Sequence, residues 1–177
     1  MVRRAGSVSW RKAAGKFLCS FLVVLCLVGA AHAEVRRGPV TNLPLPRFVS
    51  LKASKANVRR GPSLTHRIDW IFTRRDMPLV VTAEHGHWRR VQDRDGAGGW
   101  VHYTLLSGNR TVIVDSDMLP LNVRPEADTP IAAQLELGVV ANLDKCLPEW
   151  CRIAAGGYKG WARKSDIWGV GADELRD

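Results

Sequence analysis

Asn57-Val58-Arg59, Trp88-Arg89-Arg90-Val91 and Gly99-Trp100-Val101 return later in the chain as Asn122-Val123-Arg124, Trp150-Cys151-Arg152-Ile153 and Gly160-Trp161-Ala162. The three anchors are offset by 65, 62 and 61 positions, so the repeat carries small length changes between them. Self-similarity at this period describes a fold made of two copies of one unit of roughly 60 residues. It also points away from an enzyme, because no reactive side chain recurs with the anchors.

The stretches around the anchors read as strands. Phe48 to Lys52 alternates weakly, Asp69 to Thr73 is apolar at its centre, Leu79 to Ala83 is β-branched, and Trp88 to Gln92 precedes Trp100-Val101 and Leu105-Leu106. Gly61-Pro62-Ser63, His85-Gly86-His87 and Asp95 to Gly99 supply turns between them. The second copy repeats the scheme at Thr111 to Val114, Ile131 to Leu137, Val139 to Leu143, Trp150 to Ala154 and Trp161-Ala162. Short strands with frequent turns and no sustained helical period describe an all-β barrel or sandwich. On strand Trp88–Gln92 the tryptophan and Val91 are expected inward and Arg89 outward. Glycine before Trp100 and Trp161 is expected to let the backbone bulge so that the indole closes one end of each barrel.

The ends read differently. Arg3, Arg4, Arg11, Lys12 and Lys16 precede the apolar run Phe17–Gly29, and Ala31-His32-Ala33 follows as a small-x-small site. This is the pattern of a cleaved signal peptide over residues 1–33. The run of 13 residues is shorter than the ~20 a spanning helix needs, so no stable membrane insertion is expected after cleavage. Residues 34–47, with Pro39, Pro44 and Pro46, read as an extended tether. Residues 48–108 and 109–170 are the two units, and 171–177 is a C-terminal tail.

Charge is uneven. The whole chain is net +9. Residues 34–113 carry 14 basic and 6 acidic side chains, and residues 114–177 carry 7 and 11. A basic module joined to an acidic one suits an anionic partner for the first or docking of the two on each other. Outside the cytoplasm nucleic acid is not the expected partner. Removal of the signal leaves Cys146 and Cys151 in a compartment where disulfides persist, and a bridge across a hairpin is expected. A zinc site would need two further ligands, and no Cys or His cluster stands nearby.

Both copies resemble the bacterial SH3-like domain. The resemblance rests on Asn57-Val58-Arg59-Arg60-Gly61-Pro62, Trp88-Arg89-Arg90-Val91, Asp95-Gly96-Ala97-Gly98-Gly99-Trp100-Val101 and Leu105 in the first copy. The second keeps Asn122-Val123-Arg124 and Gly160-Trp161 but has Pro125-Glu126 for Gly-Pro and Ala162 for Val. It is most similar to secreted alphaproteobacterial proteins with two such units. The resemblance implies tandem SH3-like β-barrels packed together and, as in several relatives, targeting to cell-wall peptidoglycan. It implies no activity and no cofactor.

Candidate binding residues follow from charge beside aromatics. Arg67, Arg74 and Arg75 surround Trp70, and Arg89 and Arg90 flank Trp88. Arg and Trp are enriched at binding hot spots. Arg59 is expected either to pin a loop through its planar donors or to meet an anionic ligand. The paired histidines His85 and His87 are too few for a metal site. A Gly-x-Ser-x-Gly elbow and a His-Glu-x-x-His helix are both absent from the sequence, so no catalytic activity is expected. The expected function is a non-catalytic periplasmic or secreted module that binds peptidoglycan or another anionic wall polymer. The alternative is an adaptor for an envelope protein.

Overall fold

The computed structural model describes residues 35–177, and the expected signal peptide lies outside the described residues. The first half holds β1 (Arg47–Leu51), β2 (Ala56–Arg59), β3 (Ile68–Phe72), β4 (Pro78–His85), β5 (Trp88–Gln92), β6 (Gly98–His102) and β7 (Leu106–Ser107). The second holds β8 (Thr111–Val114), β9 (Leu119–Asn122), β10 (Ile131–Leu135), β11 (Val140–Cys146), β12 (Trp150–Ala155), β13 (Tyr158–Arg163) and β14 (Ile167–Trp168). One turn of 3-10 helix precedes β7 at Tyr103–Leu105 and β14 at Lys164–Asp166. The strand orders are β3-β2-β6-β5-β4-β1-β7 and β10-β9-β13-β12-β11-β8-β14. The second order is the first with seven added to every number, and every pairing is antiparallel. Register shifts recur at matching places, after Val81 in β4 and after Leu143 in β11. Such shifts bend a strand and tighten its twist, which a small barrel requires.

Each barrel has its own aliphatic core. Leu51, Val58, Phe72, Leu79, Val81, Val91 and Val101 pack in the first. Val112, Leu119, Leu121, Leu143, Ile153 and Ile167 pack in the second. Full burial of one such side chain is worth about 1.5–3 kcal/mol. The tryptophans stand outside both clusters. Strict alternation explains this for β5: Val91 and Arg89 face inward, so Trp88 and Arg90 share the outer face. The expectation of Trp88 inward and Arg89 outward is therefore reversed.

Gly99 and Gly160 act by close approach and not by bulging. Both sit in regular register with the neighbouring strand. A Cβ on Gly99 would lie 2.7 Å from the Arg59 carbonyl oxygen, and one on Gly160 would lie 2.7 Å from Leu121 Cβ. The same contacts correct the repeat. Trp100 pairs with Arg59 and Trp161 with Asn122, so the first anchor is offset by 63 and not 65. Leu121 takes the buried place of Val58, while Val123 is exposed. Of the second Asn-Val-Arg only Asn122 lies in a strand, as the last residue of β9, and Val123 and Arg124 fall in the bend beyond it.

The expected tether 34–47 is folded back over its described residues, 35–47, and is not extended. Arg37 and Pro44 form a β-bridge, Gly38 N–H donates to Leu43 O at 2.8 Å, and Leu45 joins the first core with 5% of its surface exposed. The fold-back is driven by Glu84, which is buried and accepts from Val40 N–H, Thr41 N–H and Thr41 Oγ1 at 3.1, 2.9 and 2.6 Å. The tail is docked as well. Arg176 bridges to Cys146, and Glu174 pairs with Arg110 at 2.7 Å.

The barrels touch through specific groups. The Phe48 ring meets Trp168 edge-on at 5.3 Å, and the Arg110 guanidinium lies 5.5 Å over Phe48. Thr111 Oγ1 donates to Asp76 O at 2.7 Å, and Arg94 pairs with Asp115. The described residues, 35–177, fall in one compact unit. Among the described residues no helix is long and apolar enough to cross a membrane.

Candidate binding face

The outer face of β5, β6 and β2 in the first barrel carries a two-tier array. Arg90 pairs with Trp100, and Trp100 pairs with Arg59. One tier along, Trp88 pairs with His102, and their rings meet edge-on at 5.5 Å. Period-2 alternation places all five side chains on the same face because their partners two residues apart share it. A cleft of about 410 Å³ runs along the Arg90–Trp100–Arg59 tier, lined also by Arg60, Asp69 and Gln92. A second cleft of about 450 Å³ takes in Trp88, His102, Asn57, Lys55 and Leu64, and Arg59 lines both.

The expected site residues separate. Arg59 Nη1 donates to Leu64 O and His66 O at 2.9 and 2.7 Å, so it pins the loop between β2 and β3 while lining the clefts. In the second barrel Asn122 takes over, with Nδ2 donating to the Glu126 and Ala127 carbonyls. Arg67 is held at 2.7 Å by Asp69, which also takes Arg60 at 2.9 Å. Those two cations, Arg60 foremost, hold the Asp69 carboxyl below its ordinary range. Trp70 is half-exposed on β3. Arg74 donates to Gly138 O at 2.8 Å and so serves the contact between barrels, and Arg75 is exposed beside it. Arg67 and Arg74 stand at opposite ends of β3, so the expected cluster around Trp70 does not form.

Arg89 is the clearest departure. It is buried, donates to Gly86 O and Trp88 O at 2.9 Å, and lies 3.6 Å from Glu84. It holds the hairpin and does not present to a ligand. Burial favours the neutral form of Glu84, but hydrogen bonds from Thr41, Arg47 and Val40 outweigh it and hold the carboxyl down at about 2. The same cross-strand position in the second barrel is Cys146 opposite Cys151, and these form the expected disulfide.

Arg90 alone of the expected residues is exposed on the array, and among the described residues its guanidinium has no carboxylate partner. Its counterpart, Arg152, is held by Asp144 at 2.7 Å and lies 5.7 Å over Trp161. Asp144 also takes Lys159 at 2.6 Å, and its carboxyl is lowered by Lys159 and Arg152. Arg163 lies 4.9 Å over Trp150. The second barrel therefore covers Trp161 and Trp150 with its own arginines and neutralises one of these with an acid. The position matching Asp144 in the first barrel is Thr82. Arg60, Trp100 and His102 were missed as site residues. Their signal was cross-strand and invisible without the register.

The bacterial SH3 domain family matches the chain twice, at residues 52–108 and 115–169.
This chain belongs to the bacterial SH3 domain family.
As a tandem bacterial SH3 protein it shares low similarity with larger solved structures. One is NlpC2 from Trichomonas vaginalis, at 12% identity and a TM-score of 0.33, covering 69% of this chain and 47% of that one. Another is an NlpC/P60 family protein from Bacillus cereus ATCC 10987, at 14% identity and a TM-score of 0.31, covering 68% and 55%. The chain thus spans about half the length of these structures. No curated protein matches it significantly. Among the described residues no group of three or more His, Cys, Asp or Glu side chains could hold a metal ion.

Proposed function

We propose that this tandem bacterial SH3 protein is a non-catalytic envelope module whose first barrel binds an anionic cell-wall polymer, peptidoglycan foremost. The observation that carries the reading is the open tier Arg90–Trp100–Arg59, set against its neutralised counterpart Arg152–Trp161 beside Asp144. The guanidinium groups supply paired donors for carboxylate or phosphate oxygens. Trp88 and Trp100 supply apolar walls with low rotamer cost. Family membership supports wall association, and the Cys146–Cys151 bridge supports an extracytoplasmic site, where disulfides persist.

Sedimentation with purified wall sacculi tests the proposal. Wild type co-sediments at low salt and is released as salt rises, because screening shortens from about 10 Å at 0.1 M to about 3 Å at 1 M. Thr82→Asp places beside Arg90 the carboxylate that Asp144 places beside Arg152, and it abolishes co-sedimentation without lowering stability. Binding that survives both Thr82→Asp and high salt would sink the assignment.

A further inference from the structure

β3 is the outermost strand of the first sheet, laddered to β2. Alternate amide and carbonyl groups along an edge strand face away from its sheet, unpaired. Proteins usually guard such edges with proline, lysine, a bulge or a covering segment. β3 reads Ile68-Asp69-Trp70-Ile71-Phe72 and contains neither proline nor lysine. Its register shift lies at the Arg59 end, and the pairs from Trp70 to Phe72 are regular. Ile68, Trp70 and Ile71 expose 40%, 50% and 43% of their surfaces.

The second barrel shows what a quieter edge looks like. Its edge strand β10 places Ala133 and Gln134 opposite Leu121 and Pro120, where β3 places Trp70 and Ile71 opposite Val58 and Asn57. Ile131 of β10 is exposed at the place of Ile68, so the difference lies at the two central positions, where only the first barrel has large apolar groups. Their electrostatic setting selects a partner. The segment from Arg60 to Asp76 holds four arginines, two at each end of β3, against two aspartates, and one of these, Asp69, is already occupied by Arg60 and Arg67. A second copy of this edge would bring the same positive charge against itself. An acidic strand would not.

We propose that β3 is a docking edge that takes an extended acidic segment of a partner protein as an additional strand. Main-chain hydrogen bonds would carry the affinity, Trp70 would cover the apolar side chains that share its face of the sheet, and Arg67 and Arg75 would select acidic ones. Asp69 of β3 also lines the Arg90–Trp100–Arg59 cleft, so the two sites adjoin, but the docking edge does not require the cleft to be occupied.

The test is binding of a short fluorescent peptide of alternating valine and glutamate to the purified protein, followed by anisotropy. The expected result is saturable binding, weakened at least about tenfold when alternate peptide nitrogens are methylated, since this removes strand donors and leaves side chains in place. Arg67→Ala with Arg75→Ala should weaken binding comparably, and a valine–lysine peptide should not bind. Trp70→Ala with an unchanged circular dichroism spectrum serves as the second variant and should also weaken it. Three results each overturn the proposal: binding indifferent to N-methylation, equal binding of the lysine peptide or none of the glutamate peptide, and a protein dimer whose β3 amides are protected from exchange.

Discussion

Glu84 and Cys146 occupy one position in two barrels, and the chain solves the same hairpin twice with different chemistry. In the first, Glu84 faces Arg89 across β4 and β5; in the second, a disulfide joins the same two places. The ionic solution has a pH dependence. The folded carboxyl sits at about 2 against an ordinary 4.5, so Glu84 contributes stability that is fully present above about pH 4.5. That stability is lost as pH falls through about 2, and it is on the order of 3 kcal/mol. Glu84→Gln should remove this dependence between pH 4.5 and 2, and exchange at the Val40 and Thr41 amides should accelerate at neutral pH. Unchanged exchange at those amides would show that the fold-back does not depend on Glu84. The two arginines that share Trp100 should also part company. Arg59→Ala frees two carbonyls of the loop after β2 and should cost about 2 kcal/mol. Arg90→Ala should leave the melting temperature within about 1 °C of wild type while weakening sacculus binding. Calorimetry on both variants beside the sedimentation assay separates the pinning role from the binding role.

At the scale of the element, most strands were legible because β-branched runs between glycine turns leave few other choices. β2 and β9 were less so. Four residues of Ala-Asn-Val-Arg carry little alternation, and the repeated Asn-Val-Arg drew the second copy two residues out of register. What fixes β9 is Gly160, whose missing Cβ admits Leu121 and Asn122. The candidate site suffered for the same reason. Arg67, Arg74, Arg75 and Trp70 are neighbours in sequence but are strung along or beyond one strand, whereas Arg59, Arg90 and Trp100 are distant in sequence and adjacent across three. The hairpin β11–β12 yields a further expectation. Replacing Cys146 and Cys151 by serine should destabilise the protein by about 2 kcal/mol, as a short closed loop implies in the chain-entropy model. Proton chemical shifts of Val91 and Val101 in the first core should not move. Perturbation there would mean that the bridge supports more than its own barrel.

At the scale of the molecule, the barrels should unfold together. Phe48, Trp168 and Arg110 form one contact between them, and Thr111 with Asp76 and Arg74 with Gly138 form two more. A 60-residue unit alone is marginal, so this contact bears on the stability of both. Phe48→Ala should lower the melting temperature and split one calorimetric transition into two; a single transition of unchanged enthalpy would show that the barrels do not depend on this contact. The sequence by itself determined that the chain is β, that it is built twice, that its charge is divided between the halves, and that its two late cysteines are bridged. Those properties are local or cumulative: periodicity, turn residues, spacing and counts need no third dimension. The tertiary structure alone decided which arginines are exposed. Arg89 and Arg90 are chemically identical neighbours, and only the register of β5 against β4 and β6 turns one onto a buried glutamate and leaves the other beside Trp100, facing solvent.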